Sequence, residues 1–386
     1  MIILSNDYPS SIPDSDAVPN GGTARFARDF SQAVAASGNT WVGILWDDKE
    51  KIIDHGNIKH ATLLKTTSST NAFLLSEEYI DPYEHFAGDI SRIVNIMQEL
   101  KVTSVFLNGA YTFTWILYAA AKKVGIPCVT QHAGVFAVEV EQRPGGFSAM
   151  GIKHSFQMVA DITEYSSHNI FLNEFSYEKF KELSTGVITN PSVIPLPYGD
   201  GSYPHHFSVK NSETLSLGCV ARWDAIKNHE AIVALADEIQ AQGLPWNISV
   251  VTSIPETPVK AELKKHYREV VSIIEPMNTD MLMQYYAKND IMILPSHFDV
   301  SPTVVLEALS AGVPTLISNN VGWCSEYEMA GMNEWIADFS DAKKCVEQIK
   351  TILAQKEWTA VSEFSKMAAE RHKSEAIYAK YLTLFS

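Results

Sequence analysis

Cysteine is scarce in this chain, with four among 386 residues, and Cys128, Cys219, Cys324 and Cys345 are scattered without a C-x-x-C pair. That spacing indicates neither a disulfide framework nor a structural zinc site, so a reducing, cytoplasmic setting is expected. Also missing is an apolar run long enough to span a bilayer. The opening MIILSNDYP reads as a buried strand entering a polar loop, without the order of regions expected of a signal peptide. Positive charge is in the minority, 30 Lys and Arg against 45 Asp and Glu, for a formal charge of −15. Neither half is basic: residues 1–200 hold 14 against 22, and the remainder 16 against 23. This argues against general nucleic-acid binding, while peripheral contact with a membrane surface stays open. There is no solenoid-length repeat and no low-complexity tract.

What the chain does have is length enough for two cores and short β-branched runs alternating with helical patterns, which predicts two parallel-sheet α/β units. Strands are expected at 1–5, 41–45, 102–108, 126–130 and 169–173, and again at 215–221, 247–252, 270–274, 291–295 and 314–318. After Gly22, Phe26, Phe30 and Val34 recur every four residues, with Gly38 as the stop of that helix. Residues 191–213, rich in Pro, Gly and Ser, contain the linker. The expected division is 1–200, joined by a C-terminal helix at 374–386, and 201–373.

The stretch HFDVSPTVVLEALSAGVP, residues 297–314, carries two acids, Asp299 and Glu307, at the start of an apolar helix. Ser301 reads as its N-cap, Pro302 as its first residue, and Gly312 with Pro314 as its end. Thr303, Glu307 and Ser310 then make one narrow polar stripe on a helix otherwise apolar. Glu307 lies roughly 7.5 Å into the helix and leans back toward Asp299. A carboxylate so enclosed needs partners, and spacing leaves two readings open. It meets ligand hydroxyls beyond the strand ends, where open α/β sheets bind ligands, or it bonds to neighbouring backbone or an arginine.

The segment 288–322, KNDIMILPSHFDVSPTVVLEALSAGVPTLISNNVG, resembles the donor-site signature of the retaining glycosyltransferases of family 4: a strand ending in Pro-Ser, an acid, seven residues, a glutamate, a small-residue helix, Gly-x-Pro and a further strand. The likeness extends over the chain in element order, with its specific motifs in residues 218–326 and a weaker match at 20–22. It implies an α/β GT-B fold, two Rossmann-like domains facing across a cleft. The activity it implies is transfer of a sugar, with retention, from a nucleoside diphosphate sugar to an acceptor held mainly by the first domain, with no metal and no further cofactor.

The resemblance also assigns roles. In GCVARWDAIKN, Arg222 and Lys227 stand at the family's spacing for diphosphate-binding cations, which such a charge requires. Read from the residues alone, they form a strand-edge ion pair with Asp224 or Glu230. Asp299 positions the sugar, Glu307 holds donor hydroxyls, and Val300, Ser301, Pro302 and Thr303 face the same donor. Pro276 and Met277 approach the nucleobase or are core. Gly21 and Gly22, after Asn20, form a loop at a helix start that faces the donor, or a turn without a ligand. His132 in TQHAGVF stands near the transferred sugar, or is a satisfied structural histidine. Arg143 with Gly145 and Gly146 forms an acceptor-side loop or a simple turn.

Two positions depart from the family pattern. Asp299 is one methylene shorter than the usual glutamate, and Trp323 replaces the usual glycine after Gly322. The first bears on transfer or sugar preference, the second on the shape of the donor pocket. Asp14-Ser15-Asp16 spells the metal-binding D-x-D of an unrelated glycosyltransferase fold, and its place in a loop before Gly21 argues against a metal role, as does the spacing of His205 and His206. Alternatives to transfer are a catalytically inactive sugar-nucleotide-binding subunit and a GT-B-like epimerase or phosphorylase.

Overall fold

The structure, a computed structural model, describes residues 1–13, 15, 21–47, 49–64, 70–141, 147–183, 186–208, 214–355 and 357–385. Asp14, Asp16, Asn20, Arg143, Gly145 and Gly146 lie outside the described residues. The chain divides into two compact units, Met1–Pro197 with Glu375–Ser386, and Tyr198–Ser374.

In the first unit the strands are β1 (Ile2–Asn6), β2 (Thr40–Asp47), β3 (Lys51–His55), β4 (Ile58–Leu64), β5 (Ser104–Asn108), β6 (Cys128–His132), β7 (His168–Phe171) and β8 (Pro191–Val193). They pair in the order β3-β4-β2-β1-β5-β6-β7-β8, parallel except for the β3–β4 hairpin. Neither that hairpin nor β8 is expected from the sequence. The residues of β3 are exposed but for its centre, so KIIDH is a charged edge without an apolar face, and β8 opens on a proline that only an edge strand tolerates.

Helix Gly22–Ala36 buries Phe26, Phe30 and Val34, as their four-residue spacing requires. Its aromatic pair packs on Phe106 and Trp41 and on Tyr381 of the helix Ser374–Thr383. The C-terminal helix is therefore part of this core. Removing the ring of a fully buried Phe30 would cost about 3–5 kcal/mol.

The second unit holds β9 (Leu215–Val220), β10 (Trp246–Val251), β11 (Ser272–Ile274), β12 (Ile291–Leu294), β13 (Thr315–Ser318) and the two-residue β14 (Ile336–Ala337). Their order, β11-β10-β9-β12-β13-β14, is that of a doubly wound dinucleotide-binding sheet, and every described pairing is parallel. The chain steps outward from β9 to β10 and β11, then returns to the other side of β9 with β12. The strand order therefore reverses between β9 and β12, and it is beyond the carboxyl ends of the strands at such a reversal that open α/β sheets bind ligands. Close pairing of these two strands needs Gly218, where a Cβ would lie 2.5 Å from the Met292 sulfur and 2.7 Å from the Asn289 side chain.

Candidate functional site

Four predicted residues follow the two strands at that switch point, and two of them, Lys227 and Asp299, are in contact. Arg222 and Lys227 lie on the loop after β9, Asp299 on the loop after β12, and Glu307 on the helix that follows. Two bonds tie the loops after β9 and β12 together, and a third ties the latter to the loop after β13. The amide of His297 donates to the Ile226 carbonyl (2.8 Å), the Asn228 side-chain amide to the Pro295 carbonyl (3.1 Å), and the Asn320 side-chain amide to the His297 carbonyl (2.8 Å).

Lys227 ends the single turn Ala225–Lys227, begun by Asp224, whose carboxylate accepts from the Ile226 amide at 3.2 Å. Asn228 then adopts a left-handed conformation, φ 54°, and its side chain caps helix His229–Ala241 through the Ala231 amide. Asparagine serves both needs: its side chain tolerates the left-handed region and caps helices well. The turn aims Lys227 at the next loop, where its ammonium is ion-paired with Asp299, the two side chains 18% and 17% exposed.

The strand-edge alternative is thereby corrected, since Lys227 pairs with neither Asp224 nor Glu230. Glu230 is taken by Lys260. Arg222 is exposed and, among the described residues, has no ion-pair partner.

The loop after β12 is built to stay put. Asp299 makes a bridge to Val321, its amide donating to the Asn320 carbonyl and its carbonyl accepting from the Gly322 amide at 2.8 Å. Trp323, buried, donates its indole N–H to the Pro302 carbonyl at 3.1 Å and packs on Phe364 and His372. The departure at 323 thus becomes a strut beneath the loop.

The helix start is also corrected. The helix runs Val304–Ser310 rather than beginning at Ser301-Pro302, with Thr303 in its N-cap place and making no side-chain cap. The Pro302 carbonyl accepts from the Val305 amide at 3.3 Å in a single turn as well as from Trp323, and the helix begins beyond it. Val300 and Pro302 are buried, Ser301 and Thr303 half-buried. The far end forms as expected, Gly312 turning at φ 80°.

Glu307 is 5% exposed and accepts a 2.6 Å bond from the Tyr286 hydroxyl. One partner is thus a tyrosine, which the sequence reading did not offer, buried on helix Thr279–Lys288. Just before that helix, Met277 is half-buried against the cluster of Tyr285, Tyr286 and Ala308, while Pro276 is exposed.

The first unit repeats the switch-point design at β1 and β5. Asn6 and Asn108, buried at their ends, exchange bonds, the Asn108 amide donating to Asn6 Oδ1 at 2.9 Å and Asn6 Nδ2 to the Asn108 carbonyl at 3.2 Å. Asn108 also donates to the Thr23 carbonyl, fastening the first turn of the helix after Gly21. Gly21 caps that helix at φ 93° and Gly22 begins it.

His132, at the end of β6, is 2% exposed. It stacks on Phe171 at 4.7 Å and 12°, and its Nε2 is 2.9 Å from Asn169 Oδ1. Both Asn169 amide hydrogens go to backbone carbonyls, so its oxygen accepts and His132 donates from Nε2. Burial pushes its pKa down to about 4. This is the geometry of a satisfied structural histidine, neutral at pH 7.

Sequence reasoning missed Tyr286, Asn228, His229 and the Asn6–Asn108 pair. Only Asn228 left a signal, a capping asparagine ahead of a helical pattern.

Residues 205–372 match the family model described as glycosyl transferases group 1. Among curated proteins, similar ones are the putative glycosyltransferase EpsF of Bacillus subtilis, 24% identical over 113 residues, covering 28% of this chain and 29% of that protein, and the sulfoquinovosyl transferase SQD2 of Arabidopsis thaliana, 26% identical over 121 residues, 28% of this chain and 24% of that protein. The chain thus spans about a quarter of the length of the curated relatives it matches. Solved structures are alike over the whole chain. A sucrose-phosphate synthase from Thermosynechococcus elongatus has a TM-score of 0.76 at 15% identity, covering 100% of this chain and 98% of that one. An Escherichia coli trehalose-6-phosphate structure bound with UDP-2-fluoro glucose has a TM-score of 0.70 at 12% identity, covering 100% and 99%. At such identities the likeness is one of fold, and the fold is GT-B. The residues that match the glycosyl transferases group 1 model fall within the second unit.

Proposed function

We propose that this protein is a retaining glycosyltransferase of the family 4 type, moving a sugar from a nucleoside diphosphate sugar to an acceptor assigned to the first unit. The observation that carries the reading is the ion pair of Lys227 with Asp299 at the β9/β12 switch point, with Arg222 exposed on the same loop as Lys227. A departing diphosphate brings about two negative charges. Arg222 offers a planar fork for phosphate oxygens and Lys227 a mobile ammonium already near its place. Two cations offset that charge, so the scheme uses no metal. Glu307, oriented by Tyr286, accepts from ribose hydroxyls, and Asp299 positions the sugar. In the transfer step the bond from C1 to the phosphate oxygen breaks while the acceptor oxygen bonds to C1 on the same face. The acceptor's proton passes to the leaving phosphate oxygen.

His132 takes no part in proton transfer in this reading, being neutral and enclosed. The fold match to a complex with UDP-2-fluoro glucose supports a nucleotide-sugar donor.

The test is product analysis by proton NMR after incubation with UDP-, GDP- and ADP-glucose and simple sugar acceptors. Transfer or slow release of sugar with the donor's anomeric configuration is expected, and its loss in Arg222→Ala. A product of inverted configuration would remove the retaining mechanism. Nucleotide binding without turnover would favour the sugar-nucleotide-binding subunit, for which the engagement of Asp299 by Lys227 is the supporting observation.

A further inference from the structure

His229, the first residue of helix His229–Ala241, is buried, yet it reaches the functional loop. Its Nε2 lies 2.9 Å from the Arg222 carbonyl oxygen. A carbonyl only accepts, so Nε2 carries the hydrogen. Nδ1 is then the acceptor for the Tyr267 hydroxyl at 3.1 Å, and Tyr267 is fully buried. The imidazole is stacked on Trp223, centroids 4.4 Å apart at 20°. Among the described residues, the other backbone bonds of this loop lie to either side: Ala221 donates to the Val251 carbonyl, and the turn that presents Lys227 starts at Asp224.

We infer that His229 is a positioning residue for Arg222, fixing the backbone from which the guanidinium projects by donating from Nε2 to the Arg222 carbonyl, while its Nδ1 accepts from the Tyr267 hydroxyl and holds the ring in place. The inference rests on the reading of Arg222 as a phosphate ligand. Arg222 is exposed and, among the described residues, has no side-chain ion pair, so its direction depends on its main chain. Burial also pushes the His229 pKa below its ordinary value, against opposing hydrogen-bond and charge contributions, which keeps the ring in the neutral form this arrangement uses. A structural histidine of the core would cost stability when replaced. A positioning residue changes binding of phosphate selectively.

The experiment uses the full chain and whichever of UDP, GDP and ADP binds, with the matching nucleoside as control. His229→Leu is expected to weaken diphosphate binding by about fivefold or more, the scale of one lost hydrogen bond, and to leave nucleoside binding within about twofold. In an Arg222→Ala background the same substitution is expected to add less than about twofold, because residues acting through one another are not additive. His229→Gln, whose amide reaches the same carbonyl, should restore most of the affinity. The imidazole 15N spectrum at neutral pH should show the Nε2–H tautomer.

Equal losses for diphosphate and nucleoside, an undiminished effect in the Arg222→Ala background, or an Nδ1–H tautomer would each overturn the inference. If His229→Leu does not fold, Tyr267→Phe replaces it, expected to loosen the ring and weaken diphosphate binding only while Arg222 is present; unchanged affinity would refute the relay. An Arg222→Ala variant that binds the diphosphate normally would bring down the functional reading and this inference together. One that binds poorly, beside a normal His229→Leu, would bring down this inference alone.

Discussion

The ammonium of Lys227 is ion-paired with the carboxylate of Asp299, seventy-two positions later in the chain. Two loops at the ends of strands β9 and β12 are thereby joined through opposite charges, where an anionic ligand would compete with the carboxylate for the cation. The competition has consequences for binding and for rate that differ in direction.

Asp299→Asn removes the competing charge and keeps the shape. Nucleoside diphosphate binding is expected to tighten by about two- to fivefold, the worth of a partly exposed pair, while sugar transfer slows. Calorimetry and a turnover assay check this. Weaker nucleotide binding would mean that Asp299 aims Lys227 at the phosphates instead of competing with them.

Asp299→Glu restores the family's longer acid. If the shorter side chain is adapted to its place, the added methylene changes the relative rates with different sugar donors, read as kcat/KM for each. Equal rates and the same donor choice would remove the argument from length.

Glu307 loses a donor in Tyr286→Phe, with the ring otherwise unchanged. Its near-complete burial makes the lost 2.6 Å bond costly, about 1–3 kcal/mol of unfolding free energy. Urea denaturation reads this as a lower midpoint with an unchanged slope. An unaltered midpoint would show that the bond contributes nothing net.

His132 makes stability depend on pH. Above its ordinary value near 6.5 the imidazole is neutral in folded and unfolded chains alike. Below it the unfolded chain takes up a proton that the folded chain refuses until about pH 4, so stability falls as pH drops through that window and levels off beneath it. The total is about 3 kcal/mol, one pKa unit being about 1.4 kcal/mol. Unfolding midpoints of the wild type and His132→Gln between pH 4 and 7 measure the difference, which should shrink toward low pH. Parallel curves would contradict it.

The parts of the fold that were legible in the sequence are those that bury a regular face. Phe26, Phe30 and Val34 marked their helix, and the β-branched runs marked the central strands of both sheets. The β3–β4 hairpin escaped because charged and exposed positions carry no such face, and β14 because two residues make no pattern. At the site, the register of Arg222, Lys227, Asp299 and Glu307 could be read, since each sits at a fixed offset from a strand end or helix. Their partners could not. The contacts of Tyr286 with Glu307 and Trp323 with Pro302 join residues twenty-one positions apart on different elements, and that of His229 with Arg222 depends on the fold of the intervening turn. The start of the helix at Val304 was misread because the Ser-Pro pair alone places it two residues earlier, ahead of the single turn at Pro302.

The most direct test is a calorimetric titration of the protein and of Arg222→Ala with UDP, GDP and ADP. The account predicts that one nucleotide binds in preference and that the variant weakens it by about ten- to a hundredfold, the loss of one charge-assisted phosphate contact. A wild-type affinity retained by Arg222→Ala would contradict the assignment of the β9/β12 switch point as the diphosphate site.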